Sequence, residues 1–289
     1  MICGVDIGGT YTRIGRVDAA FNVHDFKRVK TASIVDDFSA FLQAYIQTHA
    51  HVSRIVMGFP GVVNPHTKTV LKIANQPHLE SLDIQALETF LNLPIDINKD
   101  TYHLFMVDQK AGHLKTQPNI LGFYLGTGLG HVIYLNHQIH YGDTYAAAEL
   151  GHQAFRHSQA QCPCGLKGCF ETKVSGHYLT HVHATYFNDI SFAELFKATE
   201  HPHYEMLTDM LDAFAFIIAS QMHILNVSHI IIGGGVPHMT DFPTSYLTQK
   251  IHSYIRHEAL KPISIYWADA RPEKGVIGAA MAGYQKELP

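Results

Sequence analysis

Ile2-Cys3-Gly4-Val5-Asp6-Ile7-Gly8-Gly9-Thr10 reads as a short apolar strand that stops in a glycine turn, and Thr12 to Val17 reads as the strand returning from it. The same order recurs in the middle of the chain. Ile120 to Leu125 is an apolar strand, Gly126-Thr127-Gly128-Leu129-Gly130 is the turn, and His131 to Leu135 is the return strand. Two copies of strand, glycine turn and strand, about 120 residues apart, suggest two related domains. Two unrelated hairpins are the plainer alternative, because glycine-rich turns are common.

Working outward, Arg54 to Phe59, Ile95 to Asn98, His229 to Ile232 and Ile263 to Trp267 are further strands. Spaced apolar positions predict helices over Phe38 to Thr48 and Ile84 to Leu91, and Leu207 to Leu225 reads as a long, mostly buried helix. Strands alternating with helices make the fold class α/β. The polar run Asp108 to Asn119 marks a boundary near residue 110. The expected organisation is an N-terminal domain over 1–110 and a larger one over 111–275. A C-terminal helix over 276–289, opened by Gly275-Val276-Ile277-Gly278, is expected to pack back on the first domain.

The chain has 289 residues, 46% hydrophobic and 16% charged, enough apolar material for a sizeable core. Twenty-one basic against 25 acidic residues leave a net charge of -4, which argues against a nucleic-acid partner. The longest unbroken apolar run, Ala213 to Ala219, falls short of the roughly 18 residues of a membrane span. The first residues show neither a basic n-region nor a long apolar h-region. The expectation is a soluble cytoplasmic protein.

Glycines let a backbone approach a phosphate closely, so that successive N–H groups face its oxygens. Gly8-Gly9-Thr10, Gly126-Thr127-Gly128 with Gly130, and Gly233-Gly234-Gly235 each follow an apolar strand directly. One such turn is weak evidence for nucleotide contact; three form a much stronger set. The chain has no GxxxxGK[ST] motif and no GxGxxG opening a helix, which disfavours P-loop and Rossmann folds. Asp6, beside the first turn, reads either as a water-mediated hold on Mg²⁺ between nucleotide phosphates or as a turn carboxylate accepting a nearby N–H.

Three of the four cysteines fall in Cys162-Pro163-Cys164-Gly165-Leu166-Lys167-Gly168-Cys169, and His152 lies ten residues upstream in Glu149-Leu150-Gly151-His152. Three thiolates and one imidazole suit a tetrahedral, structural Zn²⁺. His157 is the alternative fourth ligand. Gly165 and Gly168 permit the tight loop. Cys3, in an apolar strand, reads as a small hydrophobe.

Together these residues resemble the ROK family of sugar kinases, in the actin-like, hexokinase-type ATPase clan. The match runs through Asp6-Ile7-Gly8-Gly9-Thr10, Leu125-Gly126-Thr127-Gly128, Glu149-Leu150-Gly151-His152, Cys162 to Glu171 and Gly233-Gly234-Gly235-Val236, in the family's order. The resemblance implies a two-domain actin-like (ribonuclease H-like) fold with an interdomain cleft. It also implies ATP with Mg²⁺ as phosphoryl donor, transfer to the 6-hydroxyl of a hexose, and a homodimer. Asp100, after Ile95-Asp96-Ile97-Asn98-Lys99, matches the family's catalytic Asp; by its position alone it reads as the N-cap of a helix over Tyr102 to Lys110. By the same resemblance Glu149, His152 and Glu171 contact the sugar, and Gly61 and Asn75 line its pocket. Asp6, Gly8, Gly9, Thr10, Gly126, Thr127, Gly128, Gly130, Gly234 and Gly235 contact the nucleotide. Val56-Met57-Gly58-Phe59-Pro60, Tyr124 to Gly128 and Cys169-Phe170-Glu171-Thr172 resemble the D-allose kinases within that family.

Three departures stand out. Lys99 replaces the Asn that commonly precedes the catalytic Asp, Tyr102 replaces a second Asn, and His131 interrupts the glycines after Gly130. A Lys has no acceptor and a longer reach, so Lys99 is expected to contact the sugar and to move preference from glucose towards an epimer such as allose. Glucokinase, fructokinase and N-acetylmannosamine kinase activities are the alternatives within the family. A repressor of the family would carry a helix-turn-helix ahead of the strand that here begins at residue 2, and a sugar sensor without catalysis would not need Asp100.

Overall fold

The computed structural model describes residues 1–49, 51–73, 77–155, 158–256 and 258–287. The chain divides into two compact units. One comprises Met1–Lys115, Tyr141–Ala147 and Arg271–Pro289; the other comprises Thr116–His140 and Ala148–Ala270. Each is built on one mixed five-stranded sheet.

In the first unit, β1 (Ile2–Ile7), β2 (Tyr11–Val17) and β3 (Val23–Lys30) form an antiparallel meander, and β4 (Arg54–Phe59) and β7 (Ile95–Lys99) extend the sheet on the other side of β1 in parallel. The sheet order is β3-β2-β1-β4-β7. A short hairpin, β5 (Val62–Asn64) and β6 (Thr69–Lys72), intervenes in sequence between β4 and β7. β1 is buried along its whole length, as a central strand covered on both faces must be. One face takes α1 (Phe38–Thr48) and α2 (Ile84–Leu91), whose Leu42, Tyr45, Ile84 and Leu87 join Val5, Ile7, Met57 and Ile97 in a common core. Asp37 and Asp83 start these two helices by accepting from the N–H groups of Ala40 and Ala86. α3 (Asp100–Asp108) and the C-terminal α7 (Lys274–Glu287) pack together, and α7 lays Val276, Ala279 and Ala280 on Ile2, Val17 and Val56. Buried Lys274 and Asp108 pair at 2.7 Å between these two helices.

The second unit repeats the plan. β8 (Ile120–Leu125), β9 (Leu129–Leu135) and β10 (Gln138–Ile139) form the meander; β11 (His229–Gly233) and β12 (Ser264–Trp267) add in parallel, giving β10-β9-β8-β11-β12. The two sheets share one strand order and one pattern of pairing, so the repeated glycine-turn hairpin is the visible trace of a repeated domain rather than two unrelated hairpins. α4 (Gly176–Tyr186), α5 (Glu205–Leu225) and α6 (Thr244–Tyr254) complete the unit. α5 buries Leu207, Leu211, Phe214 and Ile218 against Phe123, Ile230 and Ile232; each such side chain contributes about 1.5–3 kcal/mol on removal from water.

Two local readings change. β7 runs through Lys99, which occupies the N-cap position of α3 with extended backbone, so Asp100 is the first helical residue and not the cap. β9 begins at Leu129, which places Gly130 inside the strand opposite Tyr124 and leaves Gly126–Gly128 as the whole turn. Asn75 and His157 lie outside the described residues.

Candidate active site

In the first unit the parallel strands β1, β4 and β7 end at one edge of the sheet. Their register places Asp6 beside Gly58, and Gly58 beside Asn98. Carboxyl ends of parallel strands are where open α/β sheets bind ligands. Gly8-Gly9-Thr10, Gly61 and Asp100 all follow these ends directly. The first turn is closed by Gly8 N–H donating to Tyr11 O at 3.0 Å, and Thr31 Oγ1 braces it by donating to Gly8 O at 2.7 Å.

Asp6 is buried and paired with Arg13 at 3.1 Å. Burial raises its pKa, and the guanidinium opposes that rise. Gly275, at the start of α7, has no room for a side chain: a Cβ there would stand 2.6 Å from Asp6 Oδ2. A helix N-terminus and one arginine thus face this carboxylate, a setting that favours anions.

Asp100 opens α3, and its Oδ1 accepts the N–H of Thr101 at 2.7 Å. Gly58 on β4 leaves the space in which it sits. A Cβ on residue 58 would lie 2.9 Å from Asp100 Cα and 2.8 Å from Nδ1 of His103. His103, one turn further on, is fully buried, and neither of its ring nitrogens has a partner among the described residues. Burial pushes its pKa down to about 4, so it is neutral at ordinary pH.

The residues flanking Asp100 serve another segment. Asn98 Nδ2 donates to Tyr141 OH at 2.9 Å, and buried Lys99 Nζ donates to the Ala147 carbonyl at 2.9 Å. Tyr102 packs edge-on to Tyr141, with ring centroids 5.4 Å apart. Tyr141–Ala147 is thereby tied to the strand end that carries Asp100. Two of the three departures noted in the sequence are parts of this tie.

In the second unit β8 and β11 are parallel neighbours, so Gly126–Gly128 and Gly233–Gly235 emerge at the same sheet edge. A Cβ on Gly234 would stand 2.7 Å from the Leu125 nitrogen, so that the second turn presses against the first. The carbonyls of Gly126 and Thr127 accept from the N–H groups of Gly176 and His177 at 2.8 and 3.0 Å, at the start of α4. Ser175 caps that helix. His131, the third departure, faces away from the turn: its ring is buried, stacks on Phe123 at 4.5 Å and bonds the Gly122 carbonyl through Nδ1 at 2.7 Å.

The metal set is assembled in the same unit. One ligand atom from each of His152, Cys162, Cys164 and Cys169 lies within 4.8 Å of all the others. Cys162 Sγ is 3.6 Å from His152 Nδ1, and Cys164 Sγ is 3.7 Å from Cys169 Sγ. Tetrahedral zinc with about 2.3 Å Zn–S and 2.0 Å Zn–N bonds has S···S edges of about 3.8 Å and N···S edges of about 3.6 Å. The spacing fits zinc and excludes a disulfide, whose sulfurs stand about 2 Å apart. Burial pushes the Cys162 thiol up to about 12 and raises Cys169 as well, so thiolates here require a cation beside them. Gly165 and Gly168 take φ of 97° and 70°, the left-handed region that closes the loop between the cysteines.

Glu149 and His152 bracket a single 3-10 turn, Leu150–His152. Residues three apart eclipse in such a turn, and His152 Nε2 lies 3.9 Å from Glu149 Oε2. The imidazole thus turns Nδ1 to the cysteines and Nε2 to the carboxylate. Glu171, two residues past Cys169, points the other way, to the glycine turn: the N–H of Leu129 donates to its Oε2 at 2.9 Å. A Cβ on Gly128 would overlap this carboxylate. The sequence did not announce Gly58, Leu129, Arg13 or the Tyr141–Ala147 tie. Only the start of α4 carried a readable signal, the Ser-Gly pair at 175–176.

The profile of the ROK family matches residues 2–285. The N-acetyl-D-glucosamine kinase of Salmonella paratyphi C is 25% identical over 287 residues, spanning 91% of this chain and 92% of the relative. A ROK family glucokinase from Streptomyces griseus, solved with glucose and AMPPNP, superposes with a TM-score of 0.83 at 23% identity, covering 98% of this chain and 99% of that one. The ROK hexokinase of Thermus thermophilus gives 0.75 at 21% identity, covering 99% and 98%. The actin-like fold expected from the sequence is therefore shared with these chains. The finer resemblance to D-allose kinases finds no support among these relatives.

Proposed function

The chain belongs to the ROK family, and on that premise we propose that it transfers the γ-phosphoryl group of ATP to the 6-hydroxyl of a hexose or N-acetylhexosamine. The observation that carries this reading is the position of Glu171. It stands two residues beyond a zinc-type cysteine and bonds the glycine turn after β8, so sugar-binding and phosphate-binding elements meet in one carboxylate.

In this reading Thr127 and Gly128 offer N–H groups to the phosphates, Gly126 closes the turn behind them through its bond to the Gly128 carbonyl, and Gly234 and Gly235 line the nucleotide from the next strand. Gly8, Gly9 and Thr10 face the terminal phosphate, and Asp6 would hold Mg²⁺, which would neutralise charge on the phosphates. Glu149, His152 and Glu171 accept from or donate to sugar hydroxyls, which need partners once water leaves. Gly61 lines the sugar pocket. Asp100 takes the proton of the 6-hydroxyl as its oxygen bonds to the γ-phosphorus and the bond to the β,γ-bridging oxygen breaks, releasing ADP. Bound zinc would supply a fixed anchor for Glu171 and His152, since four protein ligands leave no open position for water. A dimer belongs to the same reading, and light scattering tests it.

The experiment is an acceptor screen with ATP and Mg²⁺ over glucose, allose, mannose, fructose, N-acetylglucosamine and N-acetylmannosamine, following ADP release. Sugar-dependent ADP formation with at least one of them is expected. Sugar binding without any ADP release would assign a sensor instead.

A further inference from the structure

The carboxylate of Glu171 has two oxygens in different settings. Oε2 accepts the N–H of Leu129, the first residue after the Gly126–Gly128 turn, at 2.9 Å. Oε1 accepts no hydrogen bond among the described residues. The contact spans 42 residues of sequence and is enforced sterically as well as electrostatically. Residue 128 has no space for a Cβ, which would stand 2.9 Å from the Glu171 carboxyl carbon, and a Cβ on Gly151 would lie 3.3 Å from Oε2. Glu171 is thus wedged between the glycine turn and the Glu149–His152 turn.

The same turn is held from its other side. The carbonyls of Gly126 and Thr127 point at the first N–H groups of α4, and Gly126 N–H closes on the Gly128 carbonyl at 3.0 Å. With its carbonyls taken by α4 and its exit N–H taken by Glu171, the turn has a defined orientation before any ligand arrives. Glu171 in turn sits in the 3-10 turn Phe170–Thr172, which leaves the cluster at Cys169; Phe170 N–H bonds the Gln153 carbonyl at 2.9 Å and Val174 N–H bonds Phe170 O at 2.7 Å. A continuous set of bonded elements therefore leads from the metal ligands to the phosphate turn.

We propose that Glu171 is a positioning residue for the nucleotide: through Oε2 it orients the Gly126–Gly128 turn for phosphate, leaving Oε1 for the sugar. The inference rests on the kinase reading, and it assigns the zinc loop a part in nucleotide affinity that a purely sugar-facing loop would not have.

The test is calorimetric titration of the zinc-loaded protein with a non-hydrolysable ATP analogue and Mg²⁺, with no sugar present. Glu171→Ala is expected to weaken the analogue about tenfold, the value of one hydrogen bond to a charged group. Glu171→Gln, whose amide oxygen still accepts the Leu129 N–H, is expected to stay within about twofold of the unaltered protein. A Glu171→Ala protein with full zinc content and unchanged melting that binds the analogue as tightly as the unaltered chain overturns the assignment. Failure of the unaltered protein to bind the analogue at all overturns the kinase reading itself.

Discussion

Nδ1 of His152 stands 3.6 Å from Sγ of Cys162, the N···S edge of a zinc tetrahedron, while Nε2 of the same ring faces Glu149 at 3.9 Å. One imidazole therefore joins the metal set to a carboxylate expected to hold sugar, and a bound metal would fix which nitrogen faces which way. The purified protein is expected to contain one zinc per chain by elemental analysis. Cys162→Ser should lose it and lower the melting temperature by roughly 10 °C. Full stability without metal would contradict a structural site.

Gly58 is expected to be intolerant of any side chain. Alanine there would place a methyl 2.9 Å from Asp100 Cα and 2.8 Å from His103 Nδ1. Overpacking of this kind costs about 1–3 kcal/mol. Because it displaces the start of α3, Gly58→Ala should also lower kcat at least about tenfold while sugar KM changes little. Steady-state kinetics and thermal melting read the two effects.

His103 makes stability depend on pH. Its folded pKa, about 4, lies below the ordinary histidine value of 6.5, so the unfolded chain takes up a proton in a window where the folded chain does not. Stability is therefore unaffected by this group above pH 6.5 and falls as pH drops towards 4. The full loss is on the order of 3 kcal/mol. Gly58 lies against the ring, and His103→Met, which does not titrate, should flatten this part of the profile in denaturant melts taken from pH 7 to 4. A profile with the same slope in the variant would assign the loss to other groups.

Much of this architecture was legible. β1 and β8 show as apolar runs ending in glycine, and their repetition announced two related sheets. The metal set was legible because four ligands of the right chemistry lie within eighteen residues. What escaped was tertiary. Asp100 reads as a cap until β7 is seen to run on to Lys99, which a Lys in a buried strand does not advertise. Tyr141–Ala147 has no periodicity, and its attachment depends on Asn98 and Lys99 more than 40 residues away. The Leu129–Glu171 bond is equally long-range, and a backbone N–H leaves no mark in a sequence.

Lys99 holds the Tyr141–Ala147 segment to the end of β7. Its ammonium bonds the Ala147 carbonyl and lies 5.6 Å from the Tyr102 ring centroid. Lys99→Asn, which restores the residue common in the family, shortens the side chain so that it no longer reaches Ala147. The ranking of hexoses by kcat/KM is expected to change, with sugar KM raised about tenfold and nucleotide KM unchanged. An unchanged ranking would remove Lys99 from the account of specificity.

The central claim is that Asp100 is the base of a phosphoryl transfer. The direct measurement is ADP release by Asp100→Asn alongside its sugar affinity, using the best acceptor from the hexose screen. The account predicts a fall in kcat of about a thousandfold with the sugar still bound within a few-fold of its original affinity. Turnover at the original rate in that variant would contradict it.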